Sequence, residues 1–303
     1  MICLLPSPRS SARAAFPCSL LLLALLPLLA ACRAPQPALA SSPLTEVSTR
    51  IMSFNIRNAG EWTIAHDGSN AWPYRRAAVQ RMISLERPDV IGLQEMLDDQ
   101  APFLDSVLAP LGYRRVGVGR DDGIRQGEMM AVYFRSQRFH LIRSATYWLS
   151  ASPEAPSRGW DAACNRTATV VLLRDSLRHQ NLLFINTHLD HVGTIARSEG
   201  VRLLADLANT WSSPGAPVVV GGDFNAPASE PIFAPFLASH LLSARTVAPQ
   251  SDSSLTFNGF AIEQPSQIDH FFVRGLRPVS FSVLRADYGV PFISDHYPIL
   301  LVY

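Results

Sequence analysis

The chain has 303 residues, of which 48% are hydrophobic, and its formal net charge is +1. Without residues 1–31, 24 arginines face 25 acidic residues, a balance of 24 − 25 = −1 that argues against a protein clamping a long nucleic-acid duplex. The length and composition fit one domain of ~250 residues with a large core.

The N-terminal segment has the pattern of an export signal. Two arginines and no acidic residue precede the apolar residues 20–31, which are too few for a membrane span of ~20 residues. The run ends in Leu-Ala-Ala-Cys, which resembles a bacterial lipoprotein signal and implies lipidation of Cys32. We therefore predict a lipoprotein signal peptide over residues 1–31 and a flexible tether, rich in Pro, Ala and Ser, over residues 32–49.

These assignments predict an exported protein that is lipid-anchored in the cell envelope of a bacterium, in the outer membrane or the periplasm. Plain cleavage near the same place, which would leave a soluble exported protein, is the alternative. Of the four cysteines, Cys164 alone lies in the remaining domain. An intramolecular disulfide and a zinc cluster of thiolates are thereby excluded.

Short β-rich runs alternate with turns and a few helices from residue 50 onward. In chain order, the pattern predicts a strand at 50–56, a helix at 74–86, a strand at 90–93, a helix at 100–108, strands at 129–134, 168–173 and 182–187, a helix at 195–211, and strands at 218–220, 268–273, 279–284 and 297–303. Regular βαβ alternation and an internal repeat are both missing from the sequence. We expect one α/β domain over residues 50–303, in which two sheets pack face to face and helices cover their outer faces.

Polar side chains suited to metal or phosphate stand at the ends of most predicted strands. They are Asn55, Glu95, His188, Asp223, Asn225, Asp269, Asp295 and His296. Each of them alone would fit an ordinary cap, turn or surface group. Their recurrence favours a single site built from several strands, because strand ends commonly carry catalytic groups.

Hydrolysis of a phosphate ester would use such a set. The reaction needs neutralisation of charge on the phosphoryl oxygens, an activated water molecule and help for the leaving oxygen. A hard divalent ion such as Mg²⁺ is held by one or two carboxylates; Glu95 is the first candidate, with Asn55 and Asp295 close by. Asp223 would orient or deprotonate the water, and Asp269 behind His296 would fix the tautomer of the imidazole.

The chain contains six motifs, which occur in this order: MSFNIR, GLQE, NTHLDH, GGDFN, QIDHFFV and SDHYPI. Together they resemble the endonuclease/exonuclease/phosphatase superfamily, which has the deoxyribonuclease I-like fold. The resemblance covers residues 50–303 and implies a four-layer α/β/β/α sandwich of two packed, mostly antiparallel sheets with flanking helices. It also implies a hydrolase that depends on Mg²⁺ or Mn²⁺ and cleaves phosphate esters by in-line attack of an activated water.

The resemblance implies roles for individual residues as well. It implies metal binding by Glu95, Asn55 and Asp295, and catalysis by His188, Asp223, Asn225, Asp269 and His296. Supporting or substrate-binding roles are expected for Glu128, Arg166, Asp190 and His191. Glu128 would support His188, whereas Asp190 and His191 would place a second metal, contact substrate or pair with each other. Arg120 is expected to be a surface arginine.

The substrate is predicted from a narrower resemblance. GWDAACNRTATV and NTHLDH look most like bacterial secreted members near the carbon catabolite repressor-type deadenylase branch. We therefore expect an exported phosphodiesterase or nuclease, similar to a 3′–5′ RNA exonuclease, acting as a monomer on RNA or short nucleic acid and held at the membrane through Cys32. The alternatives are a sphingomyelinase-like or inositol-phosphate phosphatase acting on lipid-derived head groups, and an inactive phosphate-binding module. The intact set of site residues argues against the inactive module.

The stretch 61–72, with its tryptophans and polar residues, is rich enough to shape a substrate pocket. An exposed tryptophan there could stack a base. Trp72 is expected instead to pack beside the helix at 74–86.

Overall fold

The computed structural model describes residues 47–303; the predicted signal peptide, Cys32 and most of the predicted tether lie outside the described residues. The strands, in chain order, are β1 (Arg50–Asn55), β2 (Val90–Met96), β3 (Tyr113–Val116), β4 (Met129–Arg135), β5 (Phe139–Trp148), β6 (Thr167–Asp175), β7 (Gln180–His188), β8 (Val218–Asp223), β9 (Leu242–Ser243), β10 (Gln250–Ser251), β11 (Asp269–Arg274), β12 (Ser280–Val283) and β13 (Ile299–Val302). The helices are α1 (Glu61–His66), α2 (Trp72–Glu86), α3 (Ala101–Leu108), α4 (Thr194–Trp211), α5 (Ala234–Ala238) and α6 (Ala244–Val247).

These strands form two sheets, as predicted. The first has the order β10-β12-β13-β1-β2-β4-β3 and the second the order β5-β6-β7-β8-β11-β9. Most neighbours are antiparallel, but each sheet has one long parallel pair at its centre, β1 with β2 and β7 with β8. Parallel neighbours need a crossover, and α2 and α4 lie within these two connections. The carboxyl ends of the two paired strands consequently lie together in each sheet.

Hydrophobic side chains fill the space between the sheets and both outer faces. Ile51 and Val90 of the first sheet belong to one buried cluster with Phe184, Val219 and Phe271 of the second. Two more clusters join α2 and α3 to the first sheet, and α4 and α5 to the second. Helices therefore cover the outer faces, and the predicted four-layer sandwich is confirmed. Between residues 47 and 303, no helix combines the length and the apolar character that a membrane crossing requires.

All predicted strands and helices are present, with ends that differ by a few residues. The longest strand, β5, was not predicted. Most of its residues are exposed or half-buried, and it forms the edge of the second sheet, so its sequence FHLIRSATYW shows no clear apolar alternation. The central strand β8, by contrast, is buried throughout, which explains why its VVV run was recognised.

Two glycines at the end of β8 allow adjacent strands to approach closely. A Cβ atom on Gly222 would lie 2.0 Å from the carbonyl oxygen of Thr187 on β7. One on Gly221 would lie 2.5 Å from a ring carbon of Phe271 on β11. Both contacts are too short for any side chain, so the pair Gly221-Gly222 brings the three strands together directly before the polar residues that follow.

Candidate active site

The strand register places polar side chains side by side at one edge of the second sheet. Asp223 at the end of β8 is the register partner of His188 on β7 and of Asp269 on β11. In the first sheet, Asn55 at the end of β1 lies opposite Gln94 on β2. Strands β1 and β8 pack against each other across the sandwich, and Asn55 Nδ2 donates a hydrogen bond of 3.1 Å to Asp223 Oδ2. The site is therefore shared between the two sheets.

Glu95 reaches this site through an irregularity in β2. The pairing of β2 with β4 shifts register between Leu93 and Met96, and Glu95 has a φ of 61°. A bulge of this kind re-aims a side chain, and a left-handed conformation is uncommon for a residue other than glycine. Arg57 and Asn225, which also line the site, have positive φ values of 56° and 48°. Such unusual backbone conformations are frequent at functional sites.

A cavity of about 560 Å³ opens between these strand ends. Its lining consists of Arg57, Asn58, Glu95, Arg120, Glu128, Cys164, Arg166, His188, His191, Asp223, Asn225, Phe257, Glu263, Ser266, Ile268, Asp295 and His296. A volume of this size suits a small-molecule ligand or one unit of a larger substrate.

Hydrogen bonds hold both oxygens of Glu95. Asn55 Nδ2 donates to Oε1 at 3.0 Å, while the backbone and side-chain nitrogens of Asn58 each donate to Oε2 at 3.0 Å. Asp295, which also lines the cavity, forms an ion pair of 3.3 Å with Arg57. Polar or charged partners thus hold both carboxylates in the lining of the cavity.

Asp269, His296 and Asp223 form a second group. His296 Nδ1 is 2.9 Å from Asp269 Oδ2, and its Nε2 is 3.6 Å from Asp223 Oδ2. Burial by itself would lower the pKa of His296, but the two carboxylates outweigh burial and raise it to about 10. His296 is therefore a cation at neutral pH, with Asp269 behind it and Asp223 in front.

His188 lies on the other side of Asp223. Its Nε2 is 3.0 Å from Asn225 Nδ2 and 3.5 Å from Asp223 Oδ2, and its buried Nδ1 has no hydrogen-bond partner among the described residues. Burial and the nearby arginines Arg166 and Arg120 lower the pKa of His188 well below its ordinary value, so the imidazole is neutral. Asn225 also donates its backbone N–H to Asp223 Oδ1 at 2.9 Å.

Two arginines, Arg120 and Arg166, line the cavity beside Glu128. Arg120 and Arg166 both approach Glu128 Oε2, as does His188 Nδ1 at 4.0 Å. The expectation that Arg120 is a surface residue was wrong: only 15% of its side chain is exposed, and it is paired with Glu128. The physical reason is the adjacent GVGRDDG turn, whose backbone bonds to that around Glu128 and turns Arg120 inward.

Asp190 and His191 each contact the guanidinium of Arg166. Asp190 Oδ2 accepts from Arg166 Nε at 3.2 Å, and His191 Nδ1 lies 2.8 Å from Arg166 Nη2. Asp190 also accepts backbone N–H bonds from Val192 and Gly193. Burial would raise the pKa of Asp190, but these bonds outweigh burial and lower it to about 2. The ionised Asp190 carboxylate thus stabilises the loop at Val192 and Gly193 and the position of Arg166.

Burial dominates the electrostatics of the other carboxylates. It raises the pKa of Asp223 to about 7 against the opposing charge of His296, and it raises the pKa of Glu128 to about 7 with repulsion from Glu95. The pKa of Asp295 is raised by burial too. Glu95 differs: burial would raise its pKa, but the hydrogen bond from Asn55 and the charge of Arg57 outweigh it.

This charge pattern fits a divalent cation. Five carboxylates line the cavity against three arginines, and protonated His296 is already bonded to a sixth carboxylate, Asp269. Without further positive charge, the raised pKa values keep protons on part of this set near neutral pH. Oxygen-rich surroundings with excess negative charge are what Mg²⁺ and Mn²⁺ require.

Two positions for a cation can be compared. Asp223, Asp269 and His296 each offer a ligand atom within 4.8 Å of the others. Within this group, His296 Nδ1 is hydrogen bonded to Asp269 Oδ2 at 2.9 Å. Glu95 and Asp295, whose carboxylates also line the cavity, form the second candidate position.

All twelve site residues predicted within the described chain meet at this cavity. Nine line it, and the other three, Asn55, Asp190 and Asp269, are hydrogen bonded to residues that line it. Two lining residues were not predicted: Arg57, which is the last residue of the MSFNIR motif, and Asn58, which directly follows it. Arg75 was not predicted either; this buried arginine donates to the carbonyl oxygens of Ile56, Arg57 and Ile293 and so fixes the loops beside Asn55 and Asp295.

Comparisons with known proteins agree with this geometry. The profile of a family described as the Endonuclease/Exonuclease/phosphatase family matches residues 52–296. Nocturnin of Xenopus laevis is 27% identical over 180 residues, 56% of this chain and 44% of that protein. Nocturnin of Drosophila melanogaster is 26% identical over 220 residues, 67% of this chain and 32% of that protein. The matches thus span about a third to a half of the length of these curated relatives.

Solved structures resemble the chain over nearly their whole length. An endonuclease/exonuclease/phosphatase from Bacteroides vulgatus is 31% identical with a TM-score of 0.77, and the match covers 85% of this chain and 98% of that one. A mannosyl-6-phosphatase from Bacteroides thetaiotaomicron is 28% identical with a TM-score of 0.77, covering 84% and 98%. The human nocturnin catalytic domain with bound sulfate, at 20% identity and a TM-score of 0.63 over 84% of this chain and 92% of that one, is similar in fold alone.

Proposed function

This chain belongs to the endonuclease/exonuclease/phosphatase family, and from that premise we propose that it is an exported phosphoesterase dependent on a divalent cation. Members of the family are hydrolases that act on phosphate esters. The observation that carries the proposal is the convergence of Glu95 and Asp295 with the Asp269–His296–Asp223 group on one cavity. This convergence unites carboxylates for a cation with groups that move protons.

Glu95 and Asp295 would hold Mg²⁺ or Mn²⁺, and Asn55 would orient Glu95 through the hydrogen bond described above. The bound ion would neutralise charge on the phosphoryl oxygens and help the leaving oxygen depart. The remaining steps belong to side chains of the protein. Asp223, when ionised, accepts a proton from the attacking water, and the backbone N–H of Asn225 fixes its orientation.

Two imidazoles complete the proposed mechanism. His296 is cationic because Asp269 and Asp223 flank it, so it stabilises the negative charge that develops on the phosphoryl oxygens. His188 is neutral, and Asn225 Nδ2 donates to its Nε2, so the proton of the imidazole lies on Nδ1, beside Glu128. This Nδ1–H group can donate to a phosphoryl oxygen without adding negative charge.

A compact phosphate ester is the first candidate substrate. The mannosyl-6-phosphatase from Bacteroides thetaiotaomicron matches this chain over nearly its full length, and the cavity of about 560 Å³ has room for a small ligand as well as for one unit of a larger substrate. The domain carries no excess of basic residues, which would be expected of a protein that follows a long nucleic acid. The second candidate is the 3′–5′ cleavage of RNA, which the motifs GWDAACNRTATV and NTHLDH support.

Removal of the cation is expected to abolish activity. EDTA should stop the release of phosphate or nucleotide, and Mg²⁺ or Mn²⁺ should restore it, because without a cation the carboxylates of Glu95 and Asp295 would repel the phosphoryl oxygens. The measurement is a chelation and add-back assay on hexose phosphates, inositol phosphates, sphingomyelin, poly(A) and single-stranded DNA. Activity that persists in EDTA would contradict the role of the cation, and the ranking of rates would identify the substrate class.

Export and lipid anchoring are part of the proposal. The apolar residues 20–31 followed by Cys32 support them. Labelled palmitate should be incorporated into the wild-type protein expressed in a bacterium but not into Cys32→Ser. Cys164→Ser is the matched control, because Cys164 lies in the cavity and should not affect labelling. Equal labelling of the wild type and Cys32→Ser would show that Cys32 is not the acceptor.

A further inference from the structure

Helix α1 exposes a tryptophan beside the proposed site. Trp62 is 63% exposed, and its indole stacks on the imidazole of His66, with ring centroids 4.2 Å apart and planes 17° from parallel. His66 Nδ1 lies 2.7 Å from the carbonyl oxygen of Trp62, which holds the imidazole in this position. His66 covers one face of the indole, so the opposite face is open to solvent.

The start of α1 is attached to a proposed cation ligand. Asn58 binds Glu95 through two nitrogens, and its Oδ1 accepts from the backbone N–H of Gly60 and from Thr63 Oγ1, both at 3.1 Å. The position of the helix start is therefore coupled to the side chain of Glu95.

The end of α1 is attached to the same site by a second route. Asp67 forms two hydrogen bonds, of 3.1 and 3.2 Å, with the guanidinium of Arg57. The same guanidinium forms the ion pair with Asp295. Because Asn58 and Arg57 line the cavity, these bonds on both sides of α1 hold the helix near it.

The chain path keeps Trp62 within reach of a bound substrate. Three residues lie between it and Asn58, which lines the cavity, and the four chain steps span at most ~14 Å. Because Trp62 is not part of the cavity lining, its ring would contact the group esterified to the phosphate rather than the phosphate itself. Preorganised rings lose little entropy when a ligand binds to them.

We propose that Trp62, backed by His66, binds a ring of the substrate's leaving group by stacking. The inference rests on the proposed function, since it requires a phosphate ester in the cavity. A sugar ring and a nucleobase both offer a flat face to an indole, and the arms of the experiment distinguish them. The cavity then selects for phosphate, and α1 selects for what the phosphate is attached to.

The test compares substrates with and without a ring. We expect Trp62→Ala to lower kcat/KM about 10-fold for a hexose 6-phosphate or a nucleoside 5′-monophosphate, mainly through a higher KM. For glycerol phosphate, which has no ring, the change should be less than twofold. Trp62→Phe, which keeps an aromatic ring, should retain part of the contribution of stacking to kcat/KM. The ring-bearing substrate whose kcat/KM falls more in Trp62→Ala identifies the kind of ring that stacks on Trp62.

The control is Ile64→Ala on the same helix, where 45% of the isoleucine is exposed. It removes a similar apolar surface without a stacking partner and should leave all three substrates unchanged. An equal loss for ring-bearing and acyclic substrates in Trp62→Ala would overturn the stacking role while leaving the proposed function intact. A wild-type enzyme that releases phosphate from none of the three with Mg²⁺ would overturn this inference, whereas the proposed function is decided by the chelation and add-back assay on the wider set of phosphate esters.

Discussion

Asp223→Ala is expected to lower kcat by ~10²-fold or more while the protein stays folded. Asp223 is the residue at which the two halves of the site meet. Its Oδ2 accepts from Asn55 at 3.1 Å and lies 3.5 Å from His188 Nε2 and 3.6 Å from His296 Nε2. Loss of the carboxylate removes the proposed base and leaves His296 with one negative neighbour fewer. The measurement is steady-state kinetics together with the melting temperature of each variant.

The pH dependence of the wild type provides a second check on Asp223. The proposed base works when ionised, and burial raises its pKa to about 7, so activity should fall as the pH drops below that region. A bound cation would move this limb to lower pH. Asp206→Asn on the exposed side of α4 is the control and should be unchanged. Near wild-type turnover in Asp223→Ala would remove Asp223 from the mechanism.

His296→Ala is expected to reduce kcat to a similar extent, by ~10²-fold or more, because it removes the buried cation that faces the phosphoryl group. Asp269→Asn tests whether the positive charge of His296 is the reason for this loss. Asp269 is one of the carboxylates that raise the pKa of His296 to about 10, so its neutral replacement lowers that pKa. The protonated form is present below the pKa, and activity should therefore be lost at lower pH in Asp269→Asn than in the wild type.

The pH–rate profiles of the wild type and Asp269→Asn above pH 7 measure this difference. The expected result is an alkaline limb that moves toward neutral pH, with a larger loss at pH 9 than at pH 7. Profiles of identical shape that differ only in height would mean that Asp269 acts through packing and not through the charge of His296. Melting temperatures again separate misfolding from a loss of catalysis.

Much of the site could be predicted because the sequence marks strand ends clearly. The run VVVGGDFN places Asp223 at the end of a buried strand and Asn225 just beyond it, and NTHLDH places His188 at the end of another. Chemistry then restricts what such residues can do together. The convergence of these strand ends depends on the register of β7, β8 and β11, which no single motif reveals.

The residues that were missed or misjudged acquire their roles from tertiary contacts. Arg120 lies in a turn that looks exposed in sequence, and its burial follows from the packing of that turn against Glu128. Arg75 sits on a helix where an arginine would ordinarily face water, yet the carbonyl oxygens of two loops surround it. The expectation for Trp72 was sound, since it is buried and its ring packs on Phe103. Trp62, which lies on α1, is instead largely exposed.

The hydrogen bond from Asn55 to Asp223 crosses from one sheet to the other and ties the chemistry to the integrity of the whole sandwich. Neither sheet holds a complete site, so each sheet alone would lack part of the proposed catalytic residues. Opening of the layers would separate the proposed base from the proposed cation ligands even if the strands of each sheet stayed paired. We therefore expect catalytic competence to depend on the cooperative assembly of both layers.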